Sequence, residues 1–428
     1  MNLRIALLIL AFSPLALPCH AAFTLVPGVD LYSEYNDNIY LSSDNEEDDV
    51  ITTVSPNATM EWDTPRLDVS LFASVTFEKY LNNTDEDRIG PGETTQTSSL
   101  NALARLYREV FYLSVTDTYT RVPIDEGGRG GEGNRTINLT DSNTLRVNPY
   151  LQFPIMKDTR LTLGYTYTNQ WYEEEEADDY ISHTYSASLS KVLSPRVSAS
   201  LSGSYKEYRP KDADEDAICT FFGCIEDRGG NYEYDEETVS VGISYQATER
   251  LSLDGSYGHT WLDYDVKGKG DTDIWSASAD YEITSNYSVG TSYEKSVEIS
   301  VSDGTSKNNK YSAYLRYNDR FTLNFTLNVQ NVEYIEIDRE EDSYGGALSG
   351  ELPFNEKTGL TGLFRYTNYD QSGVDAEEYD RYGTRFSLYY DTRLGRVSTG
   401  YIYNRTESDR DNGDYDNNII FISASLRF

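Results

Sequence analysis

Histidine is the side chain that most often moves protons near neutral pH, and this chain of 428 residues carries three. His20 lies in an apolar N-terminal stretch, His183 in ISHTYSASL and His259 in GSYGHTWLDY. With Asp263 close behind it, His259 has the makings of a carboxylate-backed general base. The plainer reading puts His183 and His259 at the rims of strands as ring-bearing surface residues, and the chain is expected not to be an enzyme.

Other chemistry-bearing groups point the same way. DRDNGDYDNN offers Asp409, Asp411, Asp414 and Asp416, but its glycine is out of register with a calcium-binding EF-hand loop and the distal glutamate is missing. A solvated loop is expected there, with weak Ca²⁺ bridging to anionic lipid or polysaccharide as the alternative. EGGRGGEG, Gly127 to Gly133, lacks the Lys-Ser/Thr pair and the following helix of a phosphate loop, and reads as a flexible external loop. No C-x-x-C-H is present for haem attachment, and no cofactor is expected. Cys219 and Cys224 in AICTFFGCIED are expected to form a small loop disulfide in an exported chain. A redox or metal pair would want a neighbouring histidine or the C-x2-C spacing.

What must position these residues is set by composition and pattern. Asp and Glu number 71 against 36 Lys and Arg, a net charge of -35, which disfavours nucleic acid as a partner. Arg4 followed by IALLILAFSPLAL and PCHAAF reads as a secretory signal peptide over residues 1–21, cut after Ala21. Pro18 before Cys19 is wrong for a lipobox. The remainder, 22–428, has no apolar run of about 20 residues, as a membrane helix would need.

It shows instead one unit repeated: an alternating segment of roughly 10 to 14 residues, a tight turn, another such segment, then a polar loop. RLTLGYTYTNQW sets Leu161, Leu163, Tyr165 and Tyr167 against Thr162, Gly164, Thr166 and Thr168. RFTLNFTLNVQN sets Phe321, Leu323, Phe325, Leu327 and Val329 against Thr322, Asn324, Thr326 and Asn328. Counted along the chain, this predicts an all-β fold, a transmembrane antiparallel β-barrel of about 20 strands (range about 18–22). Short periplasmic turns are expected near residues 63–66, 108–110, 155–159, 193–196, 247–250, 284–286, 318–320, 354–358 and 391–395. They alternate with longer external loops that carry the acidic runs, among them SSDNEEDDV, EEEEADD, KDADED and DAEEYD. Tyr165, Tyr167, Trp171, Tyr205, Tyr257, Trp261, Tyr281, Tyr317 and Tyr401 are expected in aromatic girdles at the headgroup level.

With the apolar face turned to lipid, the lumen receives Ser, Thr, Asn and Gly together with ions of both signs. The candidate pore-lining set is Arg105, Arg146, Arg316, Arg365 and Arg385 with Asp254, Asp280, Glu282 and Glu351, and further inward ions are Asp30, Glu61, Asp68 and Lys206. Such charges would set a transverse field across a pore or pair into wall-stiffening salt bridges. Tyr107, Tyr150, Tyr314 and Tyr389 are expected to face inward, where rings can stack on sugars. The chain ends in IIFISASLRF, whose Leu426 and terminal Phe428 share one face; this resembles the C-terminal signal read by the bacterial barrel assembly machinery.

The segment containing Glu34 to Ile39 (EYNDNI), Asp49 to Ile51, Pro56 and Tyr80 with its Asn-rich loop resembles a family of outer-membrane β-barrel porins that accompany exopolysaccharide and PEP-CTERM systems. The resemblance covers the N-terminal quarter in motif and the rest in pattern. It implies a channel in the outer membrane of a Gram-negative bacterium, serving passage or export of polysaccharide. Its surroundings would be outer-membrane lipid, lipopolysaccharide and polysaccharide export components. A structural barrel that anchors or sheathes an envelope partner without an open pore is the alternative.

Overall fold

A computed structural model describes residues 22–90, 94–125, 128, 130–174, 177–211, 219–220, 223–224, 233–265, 268–301, 304–335, 339–373, 376–410 and 413–428, with backbone alone for 219–220 and 223–224. The expected signal peptide lies outside the described residues.

Alternation is converted into a cylinder. Twenty antiparallel strands form one sheet, and the first, Ala22–Asn36, pairs both with the second, Asp49–Asp63, and with the last, Tyr415–Arg427. The sheet is therefore closed and leaves no open edge, the condition for a β-structure in lipid. Twenty strands about 4.8 Å apart and tilted by about 40° close on a backbone circumference of about 125 Å, the size class that encloses a lumen.

In the strand Thr322–Tyr334, Leu323, Phe325, Leu327 and Val329 point outward and remain 39, 39, 47 and 51% exposed. At about 25 cal/mol per Å² of apolar surface, a band of such side chains around a whole cylinder is costly in water and satisfied in hydrocarbon. The nine girdle residues named above all fall on this outward set. Rings meet across strands in two belts. Tyr165–Tyr185 at 5.3 Å, Trp275–Tyr293 at 4.4 Å and Tyr293–Tyr311 at 4.3 Å lie toward one end, and Tyr287–Tyr317 at 4.6 Å and Tyr317–Phe321 at 4.7 Å toward the other.

The tight turns lie where the sequence places them, and short polar side chains cap them. Thr64 Oγ1 accepts from the N–H of Leu67, Asn355 Oδ1 from Lys357 and Thr358, and Thr392 Oγ1 from Leu394 and Gly395. The opposite end departs from the expectation. Residues 37–48, 81–94, 124–138 and 211–233 are long connections, but Tyr264 is followed by a strand from Gly268, Tyr334 by one from Arg339 and Gly373 by one from Glu377. Strict alternation of short and long connections thus fails in the C-terminal half. Polar residues expected in loops extend the strands instead: Glu377, Glu378 and Asp380 of DAEEYD belong to the strand Glu377–Asp391. Backbone pairing continues past the lipid because charged side chains there are simply hydrated.

Candidate functional site

Register assigns the inner wall. Arg105, Arg146, Arg316, Arg365, Arg385, Asp254, Asp280, Glu282 and Glu351 all lie on the inward set, with Asp30, Glu61, Asp68 and Lys206. Some form ion pairs: Arg105 with Asp68 at 2.6 Å, Arg427 with Asp30 at 3.1 Å, Lys206 with Glu236 at 3.2 Å. Arg396 sits between Asp391 at 2.7 Å and Glu351 at 3.9 Å. Asp280 accepts the Tyr314 hydroxyl, and Arg316 lies over the Tyr314 ring at 5.0 Å. Arg146 and Arg365, like Asp254 and Glu282, are exposed to the lumen. Tyr150 stacks on Tyr112 at 4.9 Å, and Arg396 covers Tyr389 at 3.8 Å. Tyr107, 58% exposed, does not face inward: the ladder slips between Arg105 and Tyr107, which sets it opposite outward Phe111.

A second part of the wall is hydroxylated. Ser202–Ser240 at 2.7 Å, Ser256–Ser276 at 2.7 Å and Ser292–Ser312 at 2.6 Å are cross-strand pairs on it. Near the turns it borders a groove of about 660 Å³ that includes Asp254.

The segment 124–138 corrects the expectation of a flexible external loop. Among its described residues, it is a strap folded inside the cylinder. Asp125 meets Arg339 at 3.5 Å, the Gly128 carbonyl accepts from Arg381 at 2.8 Å, and Glu132 pairs with Arg385 at 2.8 Å. The Glu132 backbone bonds both ways with the Asn404 amide, at 3.1 and 2.9 Å. Arg135 then reaches Glu34 at 3.4 Å and Glu78 at 2.7 Å, with its guanidinium 4.9 Å from the Tyr32 ring. Glycine makes this close fit feasible. Gly133 has φ +82°, and a Cβ there would stand 2.9 Å from Ile419 Cδ1. Beneath the strap lies an apolar patch of the inner wall, Ile402, Ile419 and Phe421, each 2% exposed or less. Gly127 and Arg129 lie outside the described residues.

Further contacts draw the outer end together. The Asp178 N–H donates to the Val301 carbonyl at 2.9 Å, and inward Tyr208, Tyr234, Leu262 and Tyr264 form a cluster against Tyr180, Val297, Ile299 and Ile335. Ser182, Tyr208, Tyr234, Thr260 and Tyr379 are 4% exposed or less although their register faces the lumen. The outer half is thus packed, and the turn half is an open vestibule lined by charge and hydroxyls.

EYNDN acquires a physical meaning at the seam between the last and first strands. Asn36 Oδ1 accepts from the Asn38 N–H at 2.9 Å and from Asn417 Nδ2. Asn38 Nδ2 donates to the carbonyls of Ser42 and Asp416, and Asp37 accepts from Asn418 N at 2.6 Å and Nδ2 at 2.7 Å. At the other end of the seam, the Phe428 N–H donates to the Pro27 carbonyl at 2.9 Å, with its ring outward. Leu426 pairs with Val29. In the adjoining loops, burial, with Glu86 accepting its hydroxyl at 3.1 Å, pushes the Tyr40 phenol up to about 12. The Lys79 ammonium and the Tyr80 N–H hold the Asp87 carboxyl below its usual range.

The remaining candidates do not converge on chemistry. His259 points outward, 2.8 Å from Asp273 and 3.2 Å from Asp271, whereas Asp263 is paired with Lys269 at 2.7 Å. His183 meets the Tyr165 hydroxyl at 2.7 Å on the same outer surface. Asp409 and Asp414 accept the N–H groups of Glu378 and Ser408, and Asp411 lies outside the described residues. Among the described residues, no group of three His, Cys, Asp or Glu is arranged to hold a metal ion. Cys219 and Cys224 are partners in a two-residue backbone ladder, and their side chains lie outside what is described.

Comparison with known proteins agrees with this geometry. The family described as "Putative beta-barrel porin 2" matches residues 21–91, the segment that carries EYNDN. A mutant of the ferric enterobactin receptor (PfeA) from Pseudomonas aeruginosa superposes with TM-score 0.52 at 9% identity, over 96% of this chain and 81% of that one. The FrpB iron transporter from Neisseria meningitidis (F5-1 variant) gives TM-score 0.51 at 8% identity, over 94% of this chain and 82% of that one. At such identities the likeness is one of fold, that of outer-membrane barrels. No curated protein sequence matches the chain.

Proposed function

We propose that the chain is a channel in the outer membrane of a Gram-negative bacterium, and that its cargo is polysaccharide. The observation that carries this reading is the closed cylinder itself. An apolar outward face ringed by two aromatic belts surrounds an inner wall of hydroxyls and charges that is open to water at the turn end. Such a wall lowers the barrier to a hydrated solute by replacing its water contacts, and no bond is made or broken. The serine face offers donors and acceptors to sugar hydroxyls, and the stacked pair Tyr112–Tyr150 offers a ring surface. Barrel assembly machinery, lipopolysaccharide and polysaccharide export components are the expected partners.

A second reading, a sealed barrel that anchors an envelope partner, is favoured by the packed outer half. Single-channel recording in planar bilayers separates the two. The channel reading expects openings whose conductance rises when the strap is unseated; a protein that stays silent even with the strap unseated supports the sealed barrel.

A further inference from the structure

We propose that the cavity between the strap and the adjoining wall is a binding site for a carboxylate-bearing sugar, with Arg365 as its anchor and Glu132 as a built-in competitor. The inference builds on the polysaccharide reading and narrows it to acidic polymers.

The cavity measures about 260 Å³ and is bounded by Arg365, Thr367, Tyr369 and Asn404 on the wall and by Glu132 and Asn134 on the strap. In liquid terms this is the space of about nine waters, enough for one sugar ring. Arg365 and Arg385 lie on adjacent strands and the same face, Arg365 opposite Gly383 and Arg385 opposite Leu363. They are diagonal neighbours on one wall, with Arg365 in the lining of the cavity and Arg385 beside it, where Glu132 holds it.

Their states differ. Arg385 is already engaged by the Glu132 carboxylate at 2.8 Å. Arg365 is exposed and forms no ion pair among the described residues. The strap therefore supplies, from within the chain, a model of the ligand the wall accepts: a carboxylate oxygen on a guanidinium N–H. A uronate arriving from the vestibule would place its carboxylate on Arg365 and its hydroxyls against Thr367 and Tyr369. It would then compete with Glu132 for Arg385. A neutral sugar would gain the hydroxyl contacts but leave both guanidinium groups as they are.

Glu132 belongs to the strap through its backbone bonds to Asn404. Displacing its carboxylate therefore loosens one of the contacts that keep the strap seated, and cargo binding and strap release become linked.

The test is calorimetric titration of the detergent-purified protein with trigalacturonate and, separately, with neutral maltotriose. Trigalacturonate is expected to bind at least about tenfold more tightly than maltotriose, and Arg365→Gln to weaken it about tenfold, the usual scale for one charge-assisted contact. Glu132→Gln, by uncovering Arg385, is expected to tighten binding. Arg250→Gln, at a turn outside the cavity, should leave it unchanged. Equal affinity for the two sugars, wild-type affinity in Arg365→Gln, weaker binding in Glu132→Gln, or an Arg250→Gln loss as large as that of Arg365→Gln would each overturn the proposal. Binding is read without current, so a barrel that stays silent even with its strap unseated and still discriminates the sugars would refute the channel and leave this site standing.

Discussion

Asn417 on the last strand donates its amide to Asn36 on the first, and also to the carbonyl of Asn38 at 2.9 Å, across 381 and 379 positions of chain. All three residues are nearly fully buried. The contact bridges the one strand junction that no local turn enforces, so its strength bears on whether the cylinder stays shut.

Asn417→Ala removes a buried donor and two hydrogen bonds across the seam, leaving the Asn36 oxygen the Asn38 N–H and the Asn38 carbonyl the Leu41 N–H as their remaining donors, a loss of about 1–3 kcal/mol for the two bonds. The expected outcome is a lower temperature for the shift in electrophoretic mobility that accompanies barrel unfolding. An unchanged temperature would mean that water or a neighbour replaces the amide.

Arg135 bridges Glu34 and Glu78, whose side chains are 0% and 5% exposed. Arg135→Ala leaves the buried Glu34 carboxylate without its cation and Glu78 with Arg88 alone at 4.0 Å, a cost of about 3–5 kcal/mol if nothing moves. Leaving its seat so that water can enter is the easier response for the strap. Larger single-channel conductance and faster proteolysis within 124–138 are expected, and wild-type values of both would refute the latch.

Gly133→Val approaches the same state by a steric route. Its φ of +82° disfavours any side chain, and the added Cβ meets Ile419 at 2.9 Å. The variant is expected to match Arg135→Ala in conductance and protease sensitivity, and wild-type values of both would show that the seat accommodates the side chain.

Asp87 supplies a pH dependence. Its folded pKa is lowered by Lys79 and the Tyr80 N–H, so the contact contributes fully above the ordinary carboxylate range near about pH 4. It is lost as pH falls through the depressed value. Hydrogen exchange at the Tyr80 amide is expected to be slower in wild type than in Asp87→Asn at pH 7, with the difference shrinking as pH falls below the ordinary carboxylate range. A difference that persists in acid would place the protection elsewhere.

How much of this was legible in the sequence follows from what alternation encodes. Period two states which face a side chain takes, so Arg365, Asp254 and the girdle residues could be placed without coordinates. It is silent on how far away the opposite wall stands, so the burial of Tyr208 and Tyr234 inside the cylinder was not readable. Tyr107 was misplaced because one bulge inverts the parity that follows it. The strap was missed for a different reason: EGGRGGEG carries almost no side-chain pattern, and its conformation is set by partners such as Arg385 and Asn404, far along the chain. A usable hint was Arg135, a cation in a glycine-rich run with its carboxylate partners, Glu34 and Glu78, on two other strands.

The strap joins the strands Phe111–Pro123 and Leu139–Met156, yet it leans on Arg339, Arg385, Asn404 and Ile419, all synthesised much later. Its resting place does not exist while the sheet is still growing. A seated strap therefore requires that the strands carrying those residues have already joined the sheet.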